Sequence, residues 1–274
     1  MVRRQHVPWK AAGAKSEERH SADEVVRETG WVFNNVVGDE LTLAQFVKTG
    51  DEETGAYLIA FGLDQVTGPD RTVVEIGSGI GRMTAGLTHL FGKVYASDLD
   101  AAFLERCRET VAQFGYTERL NTAHVADGRT LPVPTGTADL SFSYITLQHC
   151  QRDDALALVD EAVRVARPGG AIALNFRTWV GRDVVLWPLG KATRAMWRIP
   201  GIGPWLARQR SATRLGWQAN RLSPSQVLAA APELCDVQLF RSPSRRPFVV
   251  AGAADAVFEG INPSHWWLVA RTPA

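Results

Sequence analysis

The segment Val73–Leu87, VVEIGSGIGRMTAGL, constrains this chain more than any other stretch. An apolar run ends in Glu75, and glycines follow at alternate positions, Gly77, Gly79 and Gly81, with Ser78 after the first. Apolar residues at helical spacing begin at once. This reads as a buried strand, a tight turn and a helix N-terminus, an arrangement in which a parallel sheet presents bare backbone to a nucleotide-like ligand. Arg82 stands where the third glycine of the dinucleotide fingerprint would fall, so the spacing is G-x-G-x-G.

An ordered series of strand ends follows. KVYASDLD, from Lys93, predicts a second strand ending in Asp98, with Leu99 next. A carboxylate there can accept from both hydroxyls of a ribose. NTAHVADG predicts a third strand ending in Asp127, before Gly128. ADLSFSYITLQHC predicts a fourth, running into a loop with Tyr144, Gln148 and His149. A helix stop at Pro168-Gly169-Gly170 and a fifth strand up to Asn175 complete the series. Between them, Met83, Leu87 and Leu90 make one helical stripe, and Leu104, Cys107, Val111 and Phe114 make another behind Asp100 as N-cap. Alternating strands and single-stripe helices predict a parallel sheet covered on both faces, with ligands beyond the carboxyl ends of the strands.

With Glu75 two residues ahead of the first glycine, residues 70–178 resemble the class I S-adenosylmethionine-dependent methyltransferases. The resemblance implies an α/β, Rossmann-like class I methyltransferase fold. Its seven-stranded, mostly parallel sheet would have an antiparallel last strand, with N-terminal helices and a helical cap insertion added. It implies S-adenosylmethionine as cofactor and S-adenosylhomocysteine as product. Glu75 would then face the methionine amino group, and Gly77, Ser78, Gly79 and Gly81 would form the backbone cradle. Asp98 and Leu99 would lie at the ribose, Asp127 and Gly128 at the adenine, and Tyr144 in the pocket wall. The organisation expected is a mobile arm at 1–20, cap helices at 21–69 and the cofactor-binding core at 70–180. A Trp/Arg-rich cap at 181–218 and the rest of the core sheet at 219–274 follow.

The cap boundary comes from charge. Residues 1–176 carry 17 basic and 24 acidic side chains, whereas residues 177–274 carry 13 and 5. Residues 181–217 hold seven of those basic residues together with Trp187, Trp197, Trp205 and Trp217. Three readings fit: indoles over the mouth of the site as flat faces for an acceptor, an interfacial element on an anionic membrane, or a small subdomain buried by its tryptophans. Membrane association is disfavoured. Nucleic acid is excluded as a partner because no recognition module is present, and the fourth strand lacks the Asn/Asp-Pro-Pro-aromatic motif. Three cysteines without metal spacing fit a reducing interior, and neither a spanning apolar run nor a signal-peptide core occurs, so the cytoplasm is the expected location. No carboxylate or histidine cluster demands a metal, although a weak magnesium site from scattered acids would leave no such mark.

His149, just past the fourth strand, is the candidate general base for a hydroxyl acceptor, with Asp39 or Glu40 as acids to orient it. Its alternative is a histidine that packs and hydrogen-bonds backbone. His124, inside the third strand, is read as structural. Trp31, Asn35, Gln148, Arg177 and Trp187 are candidates for contact with a small-molecule or oligosaccharide acceptor. A narrower resemblance rests on WVFNN at 31–35, LQHC at 147–150 and HWWLVA at 265–270. These are similar to the mycobacterial sugar O-methyltransferases that act on the reducing-end 1-hydroxyl of methylmannose polysaccharide precursors. That likeness implies a short, 3-O-methylated mannoside as acceptor. A phenolic, quinone or lipid hydroxyl is the alternative acceptor, and a non-enzymatic S-adenosylmethionine-binding regulator is the alternative class.

Overall fold

The computed structural model describes residues 21–33, 41–207 and 209–274. Its helices in chain order are α1 (Ala22–Phe33), α2 (Leu43–Ala60), α3 (Thr84–Leu90), α4 (Ala101–Phe114), α5 (Arg152–Val165), α6 (Asp183–Met196), α7 (Ile202–Ala207), α8 (Arg210–Trp217) and α9 (Pro224–Ala230). Its strands are β1 (Gly68–Ile76), β2 (Phe91–Asp98), β3 (Leu120–His124), β4 (Ala138–Ser143), β5 (Ala166–Arg177), β6 (Cys235–Arg241), β7 (Ala253–Val257) and β8 (His265–Arg271). They form one sheet in the order β3-β2-β1-β4-β5-β8-β6-β7. The first five run parallel, and β8 is antiparallel to both β5 and β6. This is the expected class I methyltransferase fold, with β7 added as an eighth strand parallel to β6 at the sheet edge.

The central strands are apolar on both faces because both faces are covered. Val73 and Val74, adjacent in β1, enter opposite cores. Val74 lies in one core with Leu158, Val159 and Ala162 of α5 and Val227 of α9, while Val73 lies in the other with Tyr57 and Leu58 of α2 and Leu87 of α3. A further cluster packs Val25 and Val26 of α1 against Phe46 of α2 and Phe103 and Val111 of α4. Local signals agree with these placements. Thr42 closes a capping box with Gln45 at the start of α2, and the Asp100 carboxylate accepts from Ala102 N–H at 2.8 Å to cap α4.

Two boundaries differ from expectation. β3 ends at His124, three residues before Asp127. The Pro168-Gly169-Gly170 helix stop lies inside the first residues of β5, because α5 has already ended at Val165; Gly169 takes φ +68° there. Of the expected segments, residues 1–20 lie outside the described residues, α1 and α2 fall in 21–69, α6–α8 in 181–218, and α9 with β6–β8 in 219–274.

The HWWLVA ending is β8 itself, and its two indoles alternate across the sheet. Trp266 stacks on Phe176 with ring centroids 4.8 Å apart and donates its indole N–H to Leu222 O at 3.0 Å. Trp267 sits among Tyr57, Phe61, Phe142 and Tyr144 on the other face. Trp267→Ala should therefore destabilise the protein by about 3–5 kcal/mol, as large-to-small changes at fully buried aromatics do. Urea unfolding measures this, and a loss below about 1 kcal/mol would contradict the packing.

Candidate functional site

At the carboxyl end of β1 the chain turns under tight constraint. Gly77 and Ser78 donate their N–H groups to Ser97 O at 2.8 and 2.9 Å. Gly77 has φ +80°, and a Cβ there would lie 2.0 Å from Thr146 Cγ2, so backbone angle and space both demand glycine. Gly79 N–H donates to Asp98 Oδ2 at 2.9 Å, and Asp100 N–H donates to Asp98 Oδ1 at 2.9 Å. The acid that ends β2 is thereby fastened to the glycine loop, and its burial pushes its pKa up to about 6. Glu75, buried at the end of β1, accepts the Thr84 hydroxyl at 2.6 Å, and burial pushes its pKa up to about 7.

These groups line a cavity of about 1550 Å³. That exceeds the roughly 300–1,000 Å³ of single small-molecule sites, leaving space for two ligands side by side. Ser78, Leu99, Gly128, Tyr144 and Trp187 line it. Gly81 does not: at φ +93° it packs against Cys107 and shapes the turn from behind. Asp127 lines the cavity from an exposed turn, where its carboxylate accepts Arg129 and Thr130 N–H at 2.8 Å and the Thr130 hydroxyl at 2.7 Å. The Thr130 backbone and hydroxyl donors, with Arg129 N–H, hold its pKa down at about 2.

Opposite the glycine loop stands the short turn Leu147–His149. Residues 219 and 220 clamp it: Ala219 and Asn220 N–H donate to Gln148 O, and the Asn220 amide donates to Leu147 O and Cys150 O at 2.6 and 2.9 Å. His149 faces Trp217, at the end of α8, through both ring nitrogens. Its Nδ1 lies 3.0 Å from Trp217 O, and the indole Nε1 lies 3.0 Å from its Nε2. A carbonyl only accepts and an indole N–H only donates, so Nδ1 carries the proton and Nε2 the lone pair. Asp39 and Glu40, the acids expected to orient His149, lie outside the described residues.

The remaining acceptor-side candidates divide. Gln148 and Arg177 are buried and do not line the cavity. Gln148 has its side-chain nitrogen 3.3 Å from His149 Nε2, and Arg177 is spent on Asp183 at 2.9 Å. Trp31 falls in α1 with its side chain undescribed, and Asn35 lies outside the described residues. His124 Nε2 lies 3.1 Å from Leu99 O. The sequence reading gave no site role to Trp217 or Asn220. Arg82, which lines the cavity, reaches back to Glu53 at 2.8 Å and stands 5.4 Å above the Tyr144 ring. Four tryptophans among basic residues were the signal for Trp217; for Asn220 there was none.

Comparison with known proteins accords with this geometry. Residues 74–174 match the family model described as a methyltransferase domain. The chain is 30% identical over 128 residues to a malonyl-[acyl-carrier protein] O-methyltransferase of Methylococcus capsulatus, covering 45% of this chain and 43% of that protein. It is 30% identical over 112 residues to a carboxy-S-adenosyl-L-methionine synthase of Pseudomonas putida, covering 39% and 45%. The chain spans less than half the length of these curated relatives. A magnesium protoporphyrin IX methyltransferase from Synechocystis PCC 6803, solved with bound SAH, shares the fold at TM-score 0.52 and 15% identity, over 91% of this chain and 97% of that one. Among the described residues no group of three or more His, Cys, Asp or Glu is gathered as a metal site, and no helix is long and apolar enough to cross a membrane.

Burial places the Glu75 pKa above the ordinary carboxylate range, so the native state favours its protonated form. That contribution is complete below about pH 4 and is lost as pH rises through about 7. Glu75→Gln should then stabilise the ligand-free protein by about 2 kcal/mol more at pH 8 than at pH 5. Denaturant titrations at both pH values measure the difference; an equal effect at each would contradict charge burial as the cause.

Proposed function

We propose that this chain is an S-adenosylmethionine-dependent O-methyltransferase acting on a sugar hydroxyl, with the 1-hydroxyl of a short 3-O-methylated mannoside as the acceptor. The observation that carries the reading is that the Gly77–Ile80 turn, Asp98 and His149 line one cavity with space for a second ligand. The sheet provides the cofactor end. Asp98 accepts from the ribose hydroxyls, the Asp127–Gly128 turn borders the adenine, and Glu75 lies toward the methionine amino group. The Gly77 cradle, which any Cβ would fill, fits a ligand pressed against backbone.

S-adenosylmethionine supplies a methyl carbon on a sulfonium sulfur, which departs as the neutral thioether of S-adenosylhomocysteine. Holding the acceptor oxygen in line with the S–CH₃ bond provides much of the rate. His149 Nε2 takes the hydroxyl proton as the C–O bond forms, leaving a methyl ether and an imidazolium. The Trp217 indole N–H shares that nitrogen, so it must swing aside when the acceptor enters. The Trp217 carbonyl keeps its hold on Nδ1–H, which fixes the ring. Of the motifs behind the mannoside reading, HWWLVA fills the sheet core, and LQHC is the one that bears on chemistry. A phenolic, quinone or lipid hydroxyl is the second reading, favoured by the exposed apolar side chains of the cap, Val184, Val185, Leu189, Ile202 and Trp205.

S-adenosylhomocysteine release should be measured across mannosides with and without 3-O-methyl groups, a phenol, a quinol and a phospholipid. Turnover of methylated mannosides with a free 1-hydroxyl is expected, and turnover confined to the other acceptors would replace the sugar reading by the second. With the working acceptor, His149→Ala should lose about a hundredfold in rate, the usual scale for a general base, with S-adenosylhomocysteine affinity unchanged. Asp98→Ala should instead weaken that affinity by about tenfold, as loss of a charge-assisted hydrogen bond does. Full turnover in His149→Ala would remove the histidine from the mechanism.

A further inference from the structure

At the cap end of the cavity three cations that line it, Lys191, Arg194 and Arg221, gather around Trp187. These three cations stand 5.6, 5.5 and 4.9 Å from the Trp187 ring centre. The carboxylate among them is Asp183, fully buried and already shared: it accepts Arg177 and Arg221 at 2.9 Å each. Two guanidinium groups on one carboxylate leave that triad with an unmatched positive charge. Lys191 and Arg194 add two more, and among the described residues neither pairs with an acid. Arg194 is half-buried and spends one Nη on Gly216 O and Gln218 O, at 3.3 and 3.0 Å. The Arg221 side chain is only 5% exposed, and its Nε has no hydrogen-bond partner.

Clustered cations repel one another, here with Lys191 exposed and Arg194 and Arg221 partly buried, and an indole face offsets only part of that cost. The arrangement is complementary to an anion of more than one charge. A single carboxylate would leave most of the excess unmatched, whereas a phosphoryl group offers several acceptor oxygens to an ammonium and forked guanidinium groups. We propose that the cap end of the cavity is a phosphate site, so that the acceptor carries a phosphoryl group seated on Lys191, Arg194 and Arg221 beside Trp187. This rests on the methyltransferase reading only in naming the ligand an acceptor. Arg194 also grips the backbone on either side of Trp217, the partner of His149. A phosphate bound there is therefore one side chain away from the group that holds the base.

Tryptophan fluorescence of the full chain, titrated with inorganic phosphate, glycerol 3-phosphate and phosphatidylglycerol vesicles, tests the site directly. Saturable binding is expected from the soluble phosphates, or from the vesicles alone if the phosphate is that of a lipid headgroup. Lys191→Gln and Arg194→Gln should each weaken binding about tenfold or more, with S-adenosylhomocysteine affinity unchanged. Lys191→Gln leaves the backbone around Trp217 held, so it separates charge from folding of the cap. No saturable binding from any source, or equal affinity in both variants, would overturn the site. Failure of the wild type to bind S-adenosylhomocysteine would instead overturn the cofactor reading and leave the phosphate result standing.

Discussion

The contact between Gly77 and Thr146 sets the geometry of the whole site. Gly77 cannot accept a Cβ because Thr146 fills that space, and the Thr146 hydroxyl donates to Gly77 O at 3.1 Å. Thr146 is also the N-cap residue of the turn that carries His149. The loop at the end of β1 and the turn after β4 are therefore registered against each other by one interlock of backbone and side chain. Asp98 is tied into the same loop through Gly79 N–H. A change at Gly77 would be felt at Asp98 and at His149 together.

The cap is joined to this arrangement through its own close packing. A Cβ on Gly190 of α6 would lie 2.5 Å from Leu215 O, and one on Gly216 would strike the Trp197 ring. Both glycines thus allow α6 and α8 to approach until Trp217 reaches His149. Arg194 then holds the carbonyls flanking Trp217, and Asn220 clamps the histidine turn from the other side. Lys191, Arg194 and Arg221 gather under the cap around Trp187.

The fold was legible because its signals are local. The glycine spacing after β1, Asp98 at the end of β2 and the single-stripe helices are each written within a short stretch of sequence. The edge strand β7 was not legible, since AADAV carries little β-branched or aromatic character. At the site, Gly77, Asp98 and His149 were found because a turn or strand end positions them. Arg177 and Gln148 were read as acceptor contacts because they flank strand ends, yet burial turned both inward. Trp217 and Asn220 act across about 70 residues of sequence on the 147–150 turn. No periodicity or motif encodes such a meeting; it appears only when α6 and α8 fold together.

The most direct test of the account is a crystal structure of the full chain with S-adenosylhomocysteine bound. The account predicts ribose hydroxyls on Asp98, the adenine beside Asp127 and Gly128, and the sulfur directed toward His149. A nucleoside seated away from the Gly77–Gly79 turn, with Asp98 holding only the backbone N–H groups of Gly79 and Asp100, would contradict it.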